Sequence, residues 1–427
     1  MGARNIGEPI TPSFQLPPPY RSFSAKSISR FAGPWYNPAP MKLSPITYYV
    51  LAAICQTSGS SGAAMLAPFF MKAHGYSIAV AGIPLVANGA GRVFSDLFSG
   101  VMATYFSSGT LLIAAAVIGL VTSAMGYLFQ DSMPIFLAAW TLFGLTEAMF
   151  ALSLRKIGFD QSTPERQGRV QGQMASALGI GFTLGPLLGG FVGKWLGPEA
   201  LFLLYALPQS MGLIFVLVAG AHRYRKAVTD SSTTLWREGI SLLRRPSFLA
   251  SALAICQSFF FLVGVTRVAF PFLAVNQRGI GLEVVGTIVS VSRLTDTLGR
   301  FSGGWLCDRI RPARVILLGI ALGIPMFILQ AYGIGFVTLL IPLAVMTMGF
   351  GFTNVGSTTF ALQSASRAAK GLSLGLTRAS TSVGQMLGPW LCGALIERMG
   401  YEQGFQAMAL ISLAVFVVVW YGLGRNS

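Results

Sequence analysis

Gly185-Pro186-Leu187-Leu188-Gly189-Gly190 has a partial copy 203 residues further on, Gly388-Pro389-Trp390-Leu391-Cys392-Gly393. Two other stretches recur in the same order at almost the same offset. Ala53-Ile54-Cys55-Gln56 returns 201 residues on as Ala254-Ile255-Cys256-Gln257. Arg92 and Asp96, ahead of Gly100, return 204 residues on with their charges exchanged, as Asp296 and Arg300 ahead of Gly304. A repeat of half the chain length, carried on apolar segments, predicts two like-oriented helical bundles facing each other, with a path between them.

Composition fixes the solvent of those bundles. Only 10% of the 427 residues are charged and 53% are hydrophobic, too little charge to cover a soluble surface. Apolar runs of about 20 residues fall near 46–72, 78–104, 109–129, 132–156, 168–195, 199–219, 247–275, 282–307, 313–332, 335–360, 371–396 and 402–424. In hydrocarbon every backbone amide must bond internally, so each run is expected to be a helix. The predicted fold is an all-α membrane protein of twelve spanning helices in two pseudo-symmetric six-helix bundles, 46–219 and 247–427. Residues 1–45, rich in Pro and Ser, read as a disordered tail, and 220–246 as a polar central loop holding a short surface helix.

The net charge of +16 does not call for nucleic acid. Of the 30 Lys and Arg, 21 fall in the tails and loops of one side, 4 on the other, and 5 inside helices. The positive-inside bias accounts for the basic balance and places both termini in the cytoplasm, in a plasma or bacterial inner membrane. Stacked aromatic–basic patches are missing. The four cysteines lie in predicted helices without metal-ligand spacing, and His74 and His222 cannot form a metal site between them. No P-loop and no nucleophile–base set is recognisable, so neither catalysis nor a bound cofactor is expected.

The ten residues Gly181 to Gly190 resemble the G-x-x-x-G-P-x-x-G-G motif of the drug and metabolite exporters in the major facilitator superfamily. Physically, Gly181, Gly185, Gly189 and Gly190 let backbones approach closely, while Pro186 bends the helix. Such a helix can pack on a partner in the other half, as a rocking motion requires. The segment Gly304-Trp305-Leu306-Cys307-Asp308-Arg309-Ile310-Arg311-Pro312-Ala313-Arg314 is similar to that family's gating loop. By this resemblance Asp308 pairs with basic groups on a neighbouring helix, with Gly304, Arg309 and Arg314 completing the motif; alternatively the arginines are simple positive-inside anchors. The matching first-half loop, Gly100 to Gly109, has neither the aspartate nor the arginines. Trp140 stands where the family's proton-linked arginine often lies.

Eight ionisable residues fall within the predicted spans: Arg92, Asp96, Glu147, Arg267, Arg293, Asp296, Arg300 and Arg378. Each costs on the order of 3 kcal/mol or more in lipid, so each is expected to face the bundle interior and to find a partner. Arg92 with Asp96, and Asp296 with Arg300, are one turn apart and read as two intrahelical pairs. Glu147 has no basic residue one turn away and is expected to be an unpartnered carboxyl that takes up and releases protons. The alternative is permanent neutralisation by an arginine on another helix, such as Arg378 or Arg293. Gln56, Ser58, Gln257, Asn354 and Gln385, with Arg267, Arg293 and Arg378, are the candidate path-lining residues.

These features predict a secondary transporter working by alternating access as a monomer, with a proton gradient as its energy source and a small molecule as its substrate. The helix-5 resemblance points to proton-coupled efflux of small organic compounds. The surplus of intramembrane arginine points instead to a proton-coupled carrier of organic anions. A non-transporting receptor or scaffold on the same fold is the third reading.

Overall fold

The computed structural model describes residues 44–160, 167–221, 242–365 and 370–424, with the backbone alone for 97–105, 159–160, 167–169, 171 and 370–371. The tail before residue 44, most of the central loop with His222, and the side chains at the start of the first-half loop lie outside the described residues.

The described residues form twelve long helices and no strand. The first six are α1 (Pro45–Ala73), α2 (Ile83–Tyr105), α3 (Ser108–Leu128), α4 (Met133–Asp160), α5 (Gln167–Leu196) and α6 (Leu201–Val218). The second six are α7 (Pro246–Gln277), α8 (Leu282–Cys307), α9 (Pro312–Tyr332), α10 (Phe336–Ser364), α11 (Lys370–Met399) and α12 (Tyr401–Gly424). Ten of them contain a stretch long and apolar enough to cross a membrane. The two that fall short are informative. Helix α8 carries Arg293, Asp296 and Arg300, and α11 carries Arg378 among Ser, Thr and Gly.

Each contact within the first half has a counterpart in the second. Helix α1 packs on α5 and α6 as α7 packs on α11 and α12. Helix α4 packs on α2 and α3 as α10 packs on α8 and α9, and α3 lies on α6 as α9 lies on α12. The halves meet through α5 against α8 and α2 against α11. Helices α8 and α11 can therefore be the least apolar of the set, because much of their surface is turned to protein. Large apolar side chains such as Leu128, Trp195, Leu410 and Trp420 are left exposed on the outer surface, where lipid covers them.

Two local departures from regular helix have physical causes. A separate turn, Ile78–Ala81, precedes α2 and is capped by the Ser77 hydroxyl accepting from the Val80 amide (3.4 Å). The chain breaks at Gly82 because the α11 backbone at Pro389 leaves no room for a side chain there, and because Pro84 donates no amide hydrogen. Helix α7 widens into π-helical turns at Val265–Ala269 and Leu273–Gln277. It runs 20 residues from Gln257 to its end at Gln277, whereas α1 runs 17 from Gln56 to Ala73. The three extra residues that shift the repeat from 201 to 204 thus lie inside the helix, where the π turns absorb them.

Glycine contacts hold each half together as tightly as any apolar core. A Cβ at Gly185 would lie 2.5 Å from the Ser61 Cβ and 2.7 Å from the Ser58 carbonyl oxygen, whereas one at Gly172 meets nothing within 4 Å. Gly185→Val is therefore expected to cost about 1–3 kcal/mol by overpacking and to lower the thermal-unfolding midpoint of the purified protein. Gly172→Ala, which gains helix propensity without a clash, should not lower that midpoint.

Candidate functional site

The glycine-proline segment of α5 serves two faces. Gly181, Gly185 and Gly189, spaced by one turn, lie against α1, opposite Thr57, Ser61 and Gly62. Pro186 and Gly190, also a turn apart, lie against α8: a Cβ at Gly190 would be 2.5 Å from the Leu282 carbonyl, and one at Gly286 2.5 Å from the Pro186 carbonyl. The copy in α11 repeats this division. Gly384 and Gly388 face α7 at Cys256 and Phe260, while Pro389 and Gly393 face Gly82 and Ile78 at the start of α2. The expected contact across the halves is present, and most of the motif's glycines additionally fasten each half internally.

These cross-half contacts concentrate on the side of the molecule away from the termini. Two polar contacts sit at that far end: Lys194 Nζ to Glu283 Oε1 (2.7 Å) between α5 and α8, and the Ala79 amide to Glu397 Oε2 (2.7 Å) between the α2 leader and α11. Phe69 of α1 meets Phe272 of α7 edge-on, with ring centroids 5.1 Å apart. On the terminal side, a side chain added at Gly172, Gly304 or Gly375 would meet nothing within 4 Å among the described residues. Among the described residues, the halves are in close contact at the far end.

At mid-depth the charges do not pair as the sequence suggests. Gly91 and Gly144 bring the α2 and α4 backbones together, which sets Arg92 beside Glu147. Arg92 Nη1 lies 2.8 Å from Glu147 Oε2, and Asn88 Nδ2 donates to the same oxygen at 3.4 Å. Glu147 is therefore partnered, and the arginine comes from α2 rather than from Arg378 or Arg293. The expected Arg92–Asp96 ion pair is not formed among the described residues: Arg92 pairs with Glu147 across helices, and Asp96 Oδ2 accepts the Ser382 hydroxyl of α11 (2.5 Å), a bond between the halves. The second expected pair is found. Arg300 donates to both Asp296 oxygens, at 3.1 and 2.7 Å, and its guanidinium lies over the Phe259 ring. Helix α10 meets this point of α8 with Gly351 and brings no carboxylate.

Three arginines remain. Arg293 is 7% exposed; its Nη2 donates to Thr266 Oγ1 (2.9 Å), and its Nε is buried without an acceptor. Arg267 sits in the first π turn of α7, within electrostatic reach of Arg293 on one side and of Glu147 and Arg92 on the other. Arg378 of α11 is within reach of Asp96 and Arg92. Among the described residues no carboxylate forms an ion pair with any of the three.

Two of the expected path-lining glutamines turn elsewhere. Gln56 is buried under Gly212 of α6, and Gln257 donates to the Ser412 hydroxyl of α12 (2.6 Å). Each joins the first helix of its half to the sixth, so the repeated Ala-Ile-Cys-Gln is a packing element. Ser58 is also buried, its hydroxyl bonded to the Cys55 carbonyl. Asn354 and Gln385 are half-buried, with side chains that make no hydrogen bond among the described residues. Trp140 packs edge-on to Phe143 in an aromatic cluster. In the gating loop Asp308, Arg309 and Arg314 are exposed. The expected ion pair of Asp308 is not formed among the described residues, and Arg309 instead stacks on Trp305 at 3.8 Å. Composition alone did not single out Asn88, Thr266 or Ser382, since one-turn spacing cannot reveal partners on other helices. Lys194 and Glu397, by contrast, stand 203 residues apart, the offset of the glycine-proline repeat, and were within reach of the sequence.

Residues 49–378 match the family model for the Major Facilitator Superfamily. The chain belongs to that superfamily of membrane transporters. It is 20% identical over 366 residues to an uncharacterized MFS-type transporter, YqjV, of Bacillus subtilis, covering 81% of this chain and 85% of that one. To an uncharacterized MFS-type transporter of Methanocaldococcus jannaschii it is 22% identical over 267 residues, covering 61% and 67%. Among solved structures, the nucleoside transporter NupG superposes with a TM-score of 0.69 at 17% identity, over 89% of this chain and 99% of that one. An auto-inhibited POT family peptide transporter superposes with a TM-score of 0.74 at 15% identity, over 90% and 97%. The fold is that of a multi-pass integral membrane transporter.

The far-side closure makes a directional prediction. Gly286→Leu should wedge α5 from α8 and raise the modification rate of a Phe69→Cys reporter by a far-side, membrane-impermeant thiol reagent, by roughly tenfold for each ~1.4 kcal/mol of lost closure. An unchanged rate would mean that the glycine contact does not hold the far side shut.

Proposed function

We propose that this chain is a proton-coupled secondary transporter of small organic compounds, working by alternating access. The Arg92–Glu147 pair carries this reading. It joins α2 to α4 inside the membrane, with side chains 20% and 11% exposed, where protonating Glu147 cancels half of a buried ion pair and leaves Arg92 without its counter-charge. Losing one partner of such a pair costs about 3–5 kcal/mol, enough to shift a conformational equilibrium by roughly a hundredfold to several thousandfold. With the positive-inside assignment of the termini to the cytoplasm, the closely packed far side faces outward.

The likeness of α5 to the exporter motif is the support for efflux. Its glycines and proline have packing partners on α1 and α8 that transport in either direction would use. A carrier of organic anions is the second reading, and one observation favours it: Arg267, Arg293 and Arg378 lie in the interior with no ion-paired carboxylate among the described residues.

The test is flux in proteoliposomes with an imposed pH gradient. Glu147→Gln should abolish gradient-driven accumulation while leaving substrate exchange at equal pH. Accumulation at the wild-type level would remove Glu147 from the coupling.

A further inference from the structure

We propose that Arg267 and Arg293 form the recognition site for a compact anion, a carboxylate or phosphate group, and that Arg267 makes anion and proton bind together. The coupling half of this inference rests on the proton-coupled reading above; the anion site does not.

Arg293 is the fixed member. It is nine-tenths buried, braced by the Thr266 hydroxyl, and keeps a buried Nε with no acceptor. A guanidinium taken out of water is costly to leave without an anion. Thr266 is itself held by the Leu262 carbonyl, so the brace is rigid. Arg267 is the adjacent member, placed by the π turn in which Thr266 also lies. Two guanidiniums from adjoining helices, α7 and α8, repel each other unless an anion lies between them. Their planar donor forks suit the paired oxygens of a carboxylate or phosphate. The nearest acid on α8, Asp296, acts on Arg293 only at a distance, because both of its oxygens are bonded to Arg300.

The same Arg267 lies within electrostatic reach of Glu147. The charged and titratable groups around that carboxylate are Arg92 with its neighbour Asn88 on α2, Tyr205 of α6 through Thr146, and Arg267 of α7. The spans of α1, α3 and α5 bring no charged side chain to that depth. Of these groups, Arg267 alone is also within electrostatic reach of Arg293. An anion seated between Arg293 and Arg267 engages the positive charge of Arg267 and adds negative charge near Glu147. Both changes favour a proton on Glu147. By reciprocity a protonated Glu147 leaves Arg267 free for the anion, so each ligand strengthens the other. A monoanion and a proton then cross together without net charge.

The test uses the purified full chain, with benzoate, succinate and inorganic phosphate as probes and choline and glucose as controls. At least one anion should raise the thermal-unfolding midpoint, and neither control should. Arg267→Gln and Arg293→Gln should each weaken that anion's apparent affinity at least about tenfold. Arg293→Lys, which keeps the charge but not the fork, should also weaken it, and serves if the glutamine variant does not fold. Between the two protonation states of Glu147, affinity should rise by up to about tenfold per unit fall in pH, with proton uptake from weakly buffered solution. In Glu147→Gln the anion should still bind, without proton uptake. Protection by none of the anions, or protection left intact in both arginine variants, overturns the anion site. Anion binding that is lost in the arginine variants but never accompanied by proton uptake keeps the site and overturns the coupling.

Discussion

Backbone contact between helices at glycine is the constraint on which the rest of this protein depends. Lipid offers apolar side chains nearly the same environment as protein does, so helices in a membrane gain little from burying leucine against leucine. What they gain is close approach. The Pro186–Gly190 face of α5 against Gly286, and the Pro389–Gly393 face of α11 against Gly82, bring the two halves together at the far end. The same glycine-rich helices carry a second face that fixes them to α1 and α7. A helix fastened firmly to its own half and closely fitted to the other half can only move with its half as a unit. That is the mechanical basis for rocking, and it rests on residues with almost no side chain.

Close approach also decides the electrostatics. Gly91 and Gly144 bring α2 to α4, and the Arg92–Glu147 pair follows from that proximity. Gly351 packs on the backbone of Asp296 and Arg300, and there the pair forms along α8 instead. The two halves thus solve one problem, a buried arginine, in two ways. In the first half the counter-charge belongs to a different helix and can be parted from its arginine by a relative shift. In the second it is on the same helix and moves with it.

The fold was legible in the sequence because lipid imposes it. Twelve apolar runs, their half-length repeat and the helix-5 glycines correspond to features seen in three dimensions. The site was less legible. Asp296 and Arg300 are one turn apart, so spacing found them, whereas Glu147 finds Arg92 at a separation of 55 residues, where spacing is silent. The glutamines of the repeated Ala-Ile-Cys-Gln were misleading in an instructive way: a polar residue in a span suggests a path, yet Gln257 finds its hydrogen bond on α12, within its own bundle. Repetition between halves marks what both halves need, which is internal packing and close contact with each other. What a carrier recognises should be sought where the halves differ.

The π turns of α7 are such a difference. Three residues are nearly one helical turn, so beyond Gln277 the second half regains the register of the first and its remaining helices superimpose on the same plan. Within those turns the register is lost. Counting back by 201 or by 204 residues from Arg267 reaches Leu66 or Ala63, both fully buried and apolar. The slip is therefore a way of presenting a new side chain to the interior without redesigning the scaffold around it. A local insertion contained within one helix gives an otherwise two-fold machine a single chemically distinct position, and an asymmetric cargo needs such a position to be held in one orientation.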